Sequence, residues 1–327
     1  MARGRNAKKM TARETFTHVA YSDEAYYSKG EYRSISLLTL NVETAKQLRR
    51  ELTDILKKFD ISEFKWKKVK GAKYYQCAEE ILDLVIEFAL KNKIRVDTII
   101  YSGTRRVSKG KGVNIFQLMY YQLFKNVLIK RWQANISWKL FPDKQSNINW
   151  DKIKEFLDLA SFDAGKLTRG RKRLLQLVKN FDIVEIEEVD SKKEKLSQIP
   201  DLFAGLAAFS RLSYSKYLRQ HGTLKRYGIL SEQEENEQEE RLTGRERYRF
   251  KLLEYFNRCC KKHKLGVSLK SSGGLWTPNP SKPINFWTFK EQSSNEKTKQ
   301  VLLSHFEGGG VIYNHNERHT TNCTGSN

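Results

Sequence analysis

Four cysteines in 327 residues are too few to staple a fold with disulfides. Cys77 falls on the apolar side of a predicted helix and reads as core. Cys259 and Cys260 are neighbours on another predicted helix and point in different directions, so with His263 they do not have the spacing of a zinc site. His315, His319 and Cys323 are evenly spaced, but their stretch, "YNHNERHTTNCTGSN", is polar and has no core to hold a metal. The sequon at Asn322 matters only in a secreted protein. No apolar run approaches the length of a bilayer span, and "MARGRNAKKMTARETF" is basic with no apolar core, unlike a secretory signal. A cytoplasmic location is therefore expected, with no membrane partner. The loop "GTRRVSKGKG" (103–112) lacks the G-x-x-x-x-G-K-[ST] order of a nucleotide-binding loop, and "HNERHTT" lacks the H-E-x-x-H of a metalloprotease.

Acidic residues are also in deficit. Against 38 Asp and Glu stand 60 Lys and Arg, a net charge of +22. Such a surplus attracts polyanions, and nucleic acid, DNA or RNA, is the expected partner. Hydrophobic residues make up 39%, with many Phe and Tyr, enough for a real core. The length suits one large domain or two modest ones.

Residues 16–22 read as a strand ending at Asp23, joined through "SKGE" to a second strand over 32–42 as a hairpin. Ala45, Leu48, Leu52, Ile55 and Leu56 share one face of a helix over 43–61. A second helix over 72–92 buries Tyr74, Cys77, Ile81, Leu84, Val85 and Phe88. Strands follow at 94–102, 134–141 and 181–191, and helices at 115–132, 150–162, 169–180 and 199–218. The alternation after an initial hairpin predicts an α/β fold, a sheet covered by helices. Residues 1–14 read as a disordered basic arm and 15–225 as the main domain. Residues 226–290 read as a helical extension with a late strand near 284–292, and 291–327 as a disordered tail.

Four acids stand at element junctions: Asp23 at a strand end, Glu63 in "SEFKWKK", Asp143 after "ISWKLF", and Asp201 after Pro200 at a helix start. Functional groups gather at such junctions in α/β sheets. If the four converge, a divalent cation would relieve their repulsion, and magnesium or manganese prefers carboxylate oxygen. Equally, Asp201 suits a helix N-terminus and Asp143 a turn after proline. In "FKWKKVKG", Lys65 and Lys67 alternate with Phe64 and Trp66. That is the pattern of an edge strand with one solvated face, or of a clamp that holds phosphates and stacks bases.

"VAYSDEAYYSKGEYRSISLLTL", "EFKWKKVKG", "FPDKQS" and "EEVDSKKEKLSQIPDLFAGLAAFSR" resemble, in order, the motifs of the bacterial domain-of-unknown-function family 3800 (DUF3800) over residues 15–220. The resemblance is most specific at Asp190-Ser191-Lys192 and from Gln198 to Gly205. Ala25 stands where the family usually has Ser, and Pro200 where it usually has Ala. The resemblance implies a ribonuclease H-like mixed sheet that begins with antiparallel strands and is flanked by helices. It implies Asp23, Glu63, Asp143 and Asp201 as catalytic ligands of magnesium or manganese, with Glu24, Asp190 and Ser191 standing behind them. It also suggests a mobile-element or defence setting.

The function expected on these grounds is metal-dependent hydrolysis of nucleic acid. Lys65, Trp66, Lys67, Arg105, Arg106 and Lys109 would contact the strand. The rivals are a non-catalytic nucleic-acid-binding protein of the same fold, and an interaction protein whose segment 226–265 binds a protein partner.

Overall fold

A computed structural model describes residues 16–25, 31–103, 115–133, 135–144, 148–160, 162–167, 174–179, 181–217, 243–270 and 274–289. The arm at 1–14, the tail at 291–327 and the basic-loop residues Arg105, Arg106 and Lys109 lie outside them, as does the acidic half of the segment 226–265.

The chain opens with β1 (His18–Ala25) and β2 (Tyr32–Asn41), then α1 (Val42–Lys58) and α2 (Ala72–Leu90). Next come β3 (Ile94–Ser102), α3 (Ile115–Phe124), β4 (Ile136–Pro142) and α4 (Trp150–Ala160). A hairpin of β5 (Phe162–Leu167) and β6 (Leu174–Lys179) leads to β7 (Phe181–Ile186) and α5 (Gln198–Tyr217). The described chain closes with α6 (Gly244–Lys262), β8 (Ser268–Lys270), β9 (Gly274–Trp276) and β10 (Ile284–Thr288).

Six strands form one mixed sheet in the order β10-β3-β2-β1-β4-β7. The pairs β1–β2 and β2–β3 are antiparallel, while β4 runs parallel to β1, β7 to β4 and β10 to β3. Helices cover both faces. Val19 and Tyr21 of β1 face a core shared with α1, α2, α5 and α6, and Ala20 faces a second core shared with α3 and α4. This alternation fixes the faces of the next residues. Asp23 points to the α5 side and Glu24 to the α3 side.

Local chemistry explains the helices that matter to the site. Asn41 caps α1 by accepting the Thr44 N–H at 2.8 Å. Glu43 in its first turn and Lys57 and Lys58 in its last suit the helix dipole. Gly71, at the N-cap position just before α2, is extended at φ −160° and supplies no side-chain cap, with open space where a side chain would go. Gly71→Ser is therefore expected to stabilise the protein slightly, by about 0.5 kcal/mol or less, and so to raise its urea midpoint. An unchanged or lower midpoint would show that the added hydroxyl does not cap.

The structure corrects the sequence reading at several points. Residues 169–180 were expected to be helical, but Leu174–Lys179 is a strand paired with Phe162–Leu167. An apolar run of six residues is too short for periodicity to separate the two. "FKWKK" is not an edge strand; it is a loop ending in a tight 3-10 turn at Trp66–Lys68. The helix expected over 115–132 loosens into a π-helical turn at Lys125–Ile129. The late strand, β10, belongs to the main sheet, beside β3, and α6 packs against α2. No described helix is long and apolar enough to cross a membrane.

Candidate metal centre

Four separate elements deliver the four acids to one place. Asp23 lies within β1, opposite Ser36 of β2, and is buried. Its Oδ1 accepts the Glu24 N–H at 2.7 Å, while its Oδ2 is buried and accepts no hydrogen bond. Glu63, in the loop between α1 and α2, is also buried, and its Oε1 accepts the Ser191 hydroxyl at 2.6 Å. Asp143 follows β4. Its N–H donates to Ser22 O at 2.9 Å, and it bridges in parallel to Val189 beyond β7. Asp201 sits in the first turn of α5, where its Oδ2 accepts the Trp66 N–H at 2.5 Å.

Lys65 stands at the centre. Its Nζ is 3.8 Å from Asp23 Oδ2, 3.8 Å from Glu63 Oε1 and 4.0 Å from Asp143 Oδ2. These are ionic contacts, longer than hydrogen bonds. Burial alone would lower the Lys65 pKa; Asp23, Asp201, Asp143 and Glu63 together outweigh it and raise it. One ammonium does not balance the acids. Burial drives the Asp23 carboxyl well above its usual range, and Asp201, Glu24 and Asp143 push it further. Burial lifts Asp201 to about 6 against the opposing Trp66 N–H, and Asp143 is raised as well.

Glu24 occupies the other face of the sheet, where the Tyr120 hydroxyl of α3 donates to its Oε2 at 2.9 Å. Burial pushes Glu24 up to about 7. Asp190 is exposed and accepts the Lys192 N–H at 2.9 Å, which holds its carboxyl below the usual range. Ser191 turns inward to Glu63, in the supporting place expected of it.

Several supports were not legible as such. Gln198 clamps the site: its Oε1 accepts the Phe64 N–H at 2.9 Å and its Nε2 donates to Ser191 O at 2.7 Å. Gln198 lay inside the motif block, so that block was the available signal. Trp66 is buried rather than free to stack a base. The Arg249 guanidinium of α6 lies 4.5 Å from its ring centroid and donates to Trp66 O at 3.0 Å. Nothing in the spacing of the α6 sequence signalled this brace. Lys67 is exposed, as a phosphate contact requires.

Among the described residues, no group of three or more His, Cys, Asp or Glu side chains is arranged to hold a metal ion directly. The acids surround the Lys65 ammonium on a shell wider than the roughly 2.1 Å of a magnesium ion. The donor type nevertheless fits a hard divalent cation. All four are carboxylates, and Asp23 presents a buried oxygen with no hydrogen bond to satisfy it.

These raised carboxyls have a consequence for stability. The native state binds protons that the unfolded chain has released, between the ordinary carboxylate range and the raised values of about 6 for Asp201 and about 7 for Glu24. Stability of the chelated protein is thus expected to fall as pH rises through that window. An ion held by these acids would bind their deprotonated native form, so saturating manganese should flatten the decline. Melting curves at several pH values with and without manganese measure this; a stability that rises through the window would refute it.

No family model matches the chain. Two proteins of Methanothermobacter thermautotrophicus align along most of it. The uncharacterized protein ORF2' is 35% identical over 294 residues, spanning 85% of this chain and 95% of its own length. The uncharacterized protein ORF2 is 36% identical over 290 residues, again 85% and 95%.

Proposed function

This chain belongs to the family of the Methanothermobacter thermautotrophicus proteins ORF2 and ORF2', and we propose that it hydrolyses phosphodiester bonds of nucleic acid with the aid of magnesium or manganese. The observation that carries this reading is the convergence of Asp23, Glu63, Asp143 and Asp201, from four elements, around one cationic group. The net charge of +22 supports a polyanionic substrate. The antiparallel β1–β2–β3 unit, continued by β4 and β7 parallel to β1, supports the ribonuclease H-like architecture implied by the resemblance to family 3800. A cytoplasmic, mobile-element or defence setting belongs to the same reading.

Asp23 and Asp201 would hold the ion from the sheet and from the helix start. Glu63, oriented by Ser191, and Asp143, anchored to Ser22, would complete the set of ligands. Such an ion, when bound, lowers the pKa of water and stabilises charge on the phosphoryl oxygens. Lys65 partly neutralises the acids. With an ion in the well, its ammonium would be available to a substrate phosphate.

A second reading has an observation in its favour. Lys65 already occupies the well, which suits a nucleic-acid-binding protein that has exchanged its metal for a lysine. Labelled single- and double-stranded DNA, RNA and hybrid, incubated with magnesium, manganese or chelator, separate the two. Metal-dependent cutting that is absent from an Asp23→Asn, Asp201→Asn variant supports the nuclease. Tight, salt-sensitive binding without cutting supports the second reading.

A further inference from the structure

Five exposed lysines have acidic partners. Lys46 pairs with Glu43, Lys57 with Asp54, Lys58 with Glu80, Lys73 with Asp60 and Lys91 with Glu87. Others among the described residues stand without one, and three of these lie together beside the acid well. Lys144, Lys192 and Lys193 are exposed, and none has an ion pair within 4.0 Å among the described residues.

The backbone brings these three together. The parallel bridge Asp143–Val189 and the Val189 N–H donated to Pro142 O at 2.9 Å carry the β4–β7 ladder past the strand ends. Lys144 therefore stands next to Asp190. Beyond it the chain turns tightly: Lys193 N–H and Glu194 N–H both donate to Asp190 O at 2.9 Å, and Lys192 N–H donates to the Asp190 carboxylate at 2.9 Å. Within this turn Ser191 is buried and bonded to Glu63, which leaves Lys192 and Lys193 outward. Lys195 is excluded, since its Nζ donates to Ser62 O. The Asp190 carboxylate is attracted by Lys144, Lys192 and Lys193 at once, so the group carries a local surplus of two positive charges.

We propose that Lys144, Lys192 and Lys193 form a phosphate-binding ridge that seats the sugar–phosphate backbone of a nucleic-acid strand beside the carboxylate well. The inference rests on the nucleic-acid reading above and says where the strand enters. The ridge is one residue from Asp143 on one side. On the other it is one residue from Ser191, the hydrogen-bond partner of Glu63. A phosphate held there places the next phosphates of the strand over the acids. Lysines offer point charges without base selectivity, so the ridge positions a strand rather than reading its sequence.

The test is a full-length triple variant, Lys144→Gln with Lys192→Gln and Lys193→Gln. Its control, Lys261→Gln with Lys262→Gln and Lys264→Gln, makes the same charge change at the end of α6 remote from the Trp66 turn. Fluorescence anisotropy with labelled DNA and RNA oligonucleotides, in chelator across a salt series, gives affinity and its salt slope. Melting temperatures report on folding. The ridge variant is expected to lose about 2 to 3 from the slope of log K against log salt and about tenfold or more in affinity at low salt, with the control near wild type. Equal losses in both variants would mean diffuse attraction and overturn the ridge. An unchanged slope in a ridge variant of a protein that binds and cuts would overturn the ridge and leave the nuclease standing. A wild-type protein that binds neither DNA nor RNA would overturn both.

Discussion

Asp23→Asn is expected to raise the melting temperature of the chelated protein and, on the proposed nuclease reading, to remove about a thousandfold of metal-dependent cleavage. Asp23 is buried among like charges, and Asp201, Glu24 and Asp143 all disfavour its ionised form. Asparagine has nearly the same shape and no charge. It keeps an oxygen for the Glu24 N–H, and the oxygen it replaces accepts no hydrogen bond. The acids that remain still outnumber Lys65. Without metal, the substitution therefore relieves repulsion, and an upward shift of about 2 °C or more is expected. With manganese the order should reverse, because an ion that binds only the native state stabilises the wild type and not a variant lacking its ligand. The activity loss follows from transition-state stabilisation of several kcal/mol by the ion, at about 1.4 kcal/mol per decade of rate. Melting curves in chelator and in manganese, beside a cleavage assay, decide the matter. A lower melting temperature in chelator would mean that Asp23 is held chiefly as the ionic partner of Lys65. Undiminished cleavage would remove it from the catalytic set.

Much of the fold was legible because long periodic segments leave little choice. The leucines of α1 at 48, 52 and 56 and the short β-branched run of β3 admit one reading each. What failed was short or non-local. The hairpin Phe162–Leu167 and Leu174–Lys179 depends on pairing that a six-residue window cannot reveal. That β10 lies in the main sheet, next to β3, is a matter of topology that no local pattern encodes. The acids were legible as candidates from the motif blocks and from the loop and helix-start positions of Glu63, Asp143 and Asp201, whereas the direction of Lys65 was not. Read as a backbone contact, it points inward to Asp23, Glu63 and Asp143. Alternation in "FKWKK" suggested a strand with Lys65 and Lys67 on one face. A 3-10 turn begins at Trp66 instead and sends Lys65 inward and Lys67 outward. Arg249 was invisible, since a basic residue on a basic helix carries no mark of the indole it covers.

Gly205→Ala is expected to destabilise the protein by about 3 kcal/mol and to disable the proposed metal centre with it, although the site touches Gly205 nowhere directly. In an open helix the same change stabilises by about 1 kcal/mol, because glycine is the costlier helix residue. Here the sign reverses. A methyl group at 205 would lie 2.1 Å from Trp66 Cγ and 2.3 Å from Cδ2, so the indole must move. Arg249 lies over the same indole, 4.5 Å from its centroid, which limits that movement. Overpacking of this kind costs up to about 3 kcal/mol. Residues 201 and 205 are one turn apart on the same face of α5, and together they grip the Trp66 turn. Asp201 takes its N–H while Gly205 receives its ring. Pushing the ring away pulls that N–H from Asp201 and drags Lys65 and Glu63 with it. Urea midpoints and manganese titration of the variant test both halves. Trp66→Phe in the Gly205→Ala background should recover part of the stability, because the smaller ring makes room, and little of the metal affinity. A Gly205→Ala protein more stable than wild type would show that Trp66 does not rest on α5, and the geometry that joins Asp201 to the Glu63–Lys65 loop would fall with it.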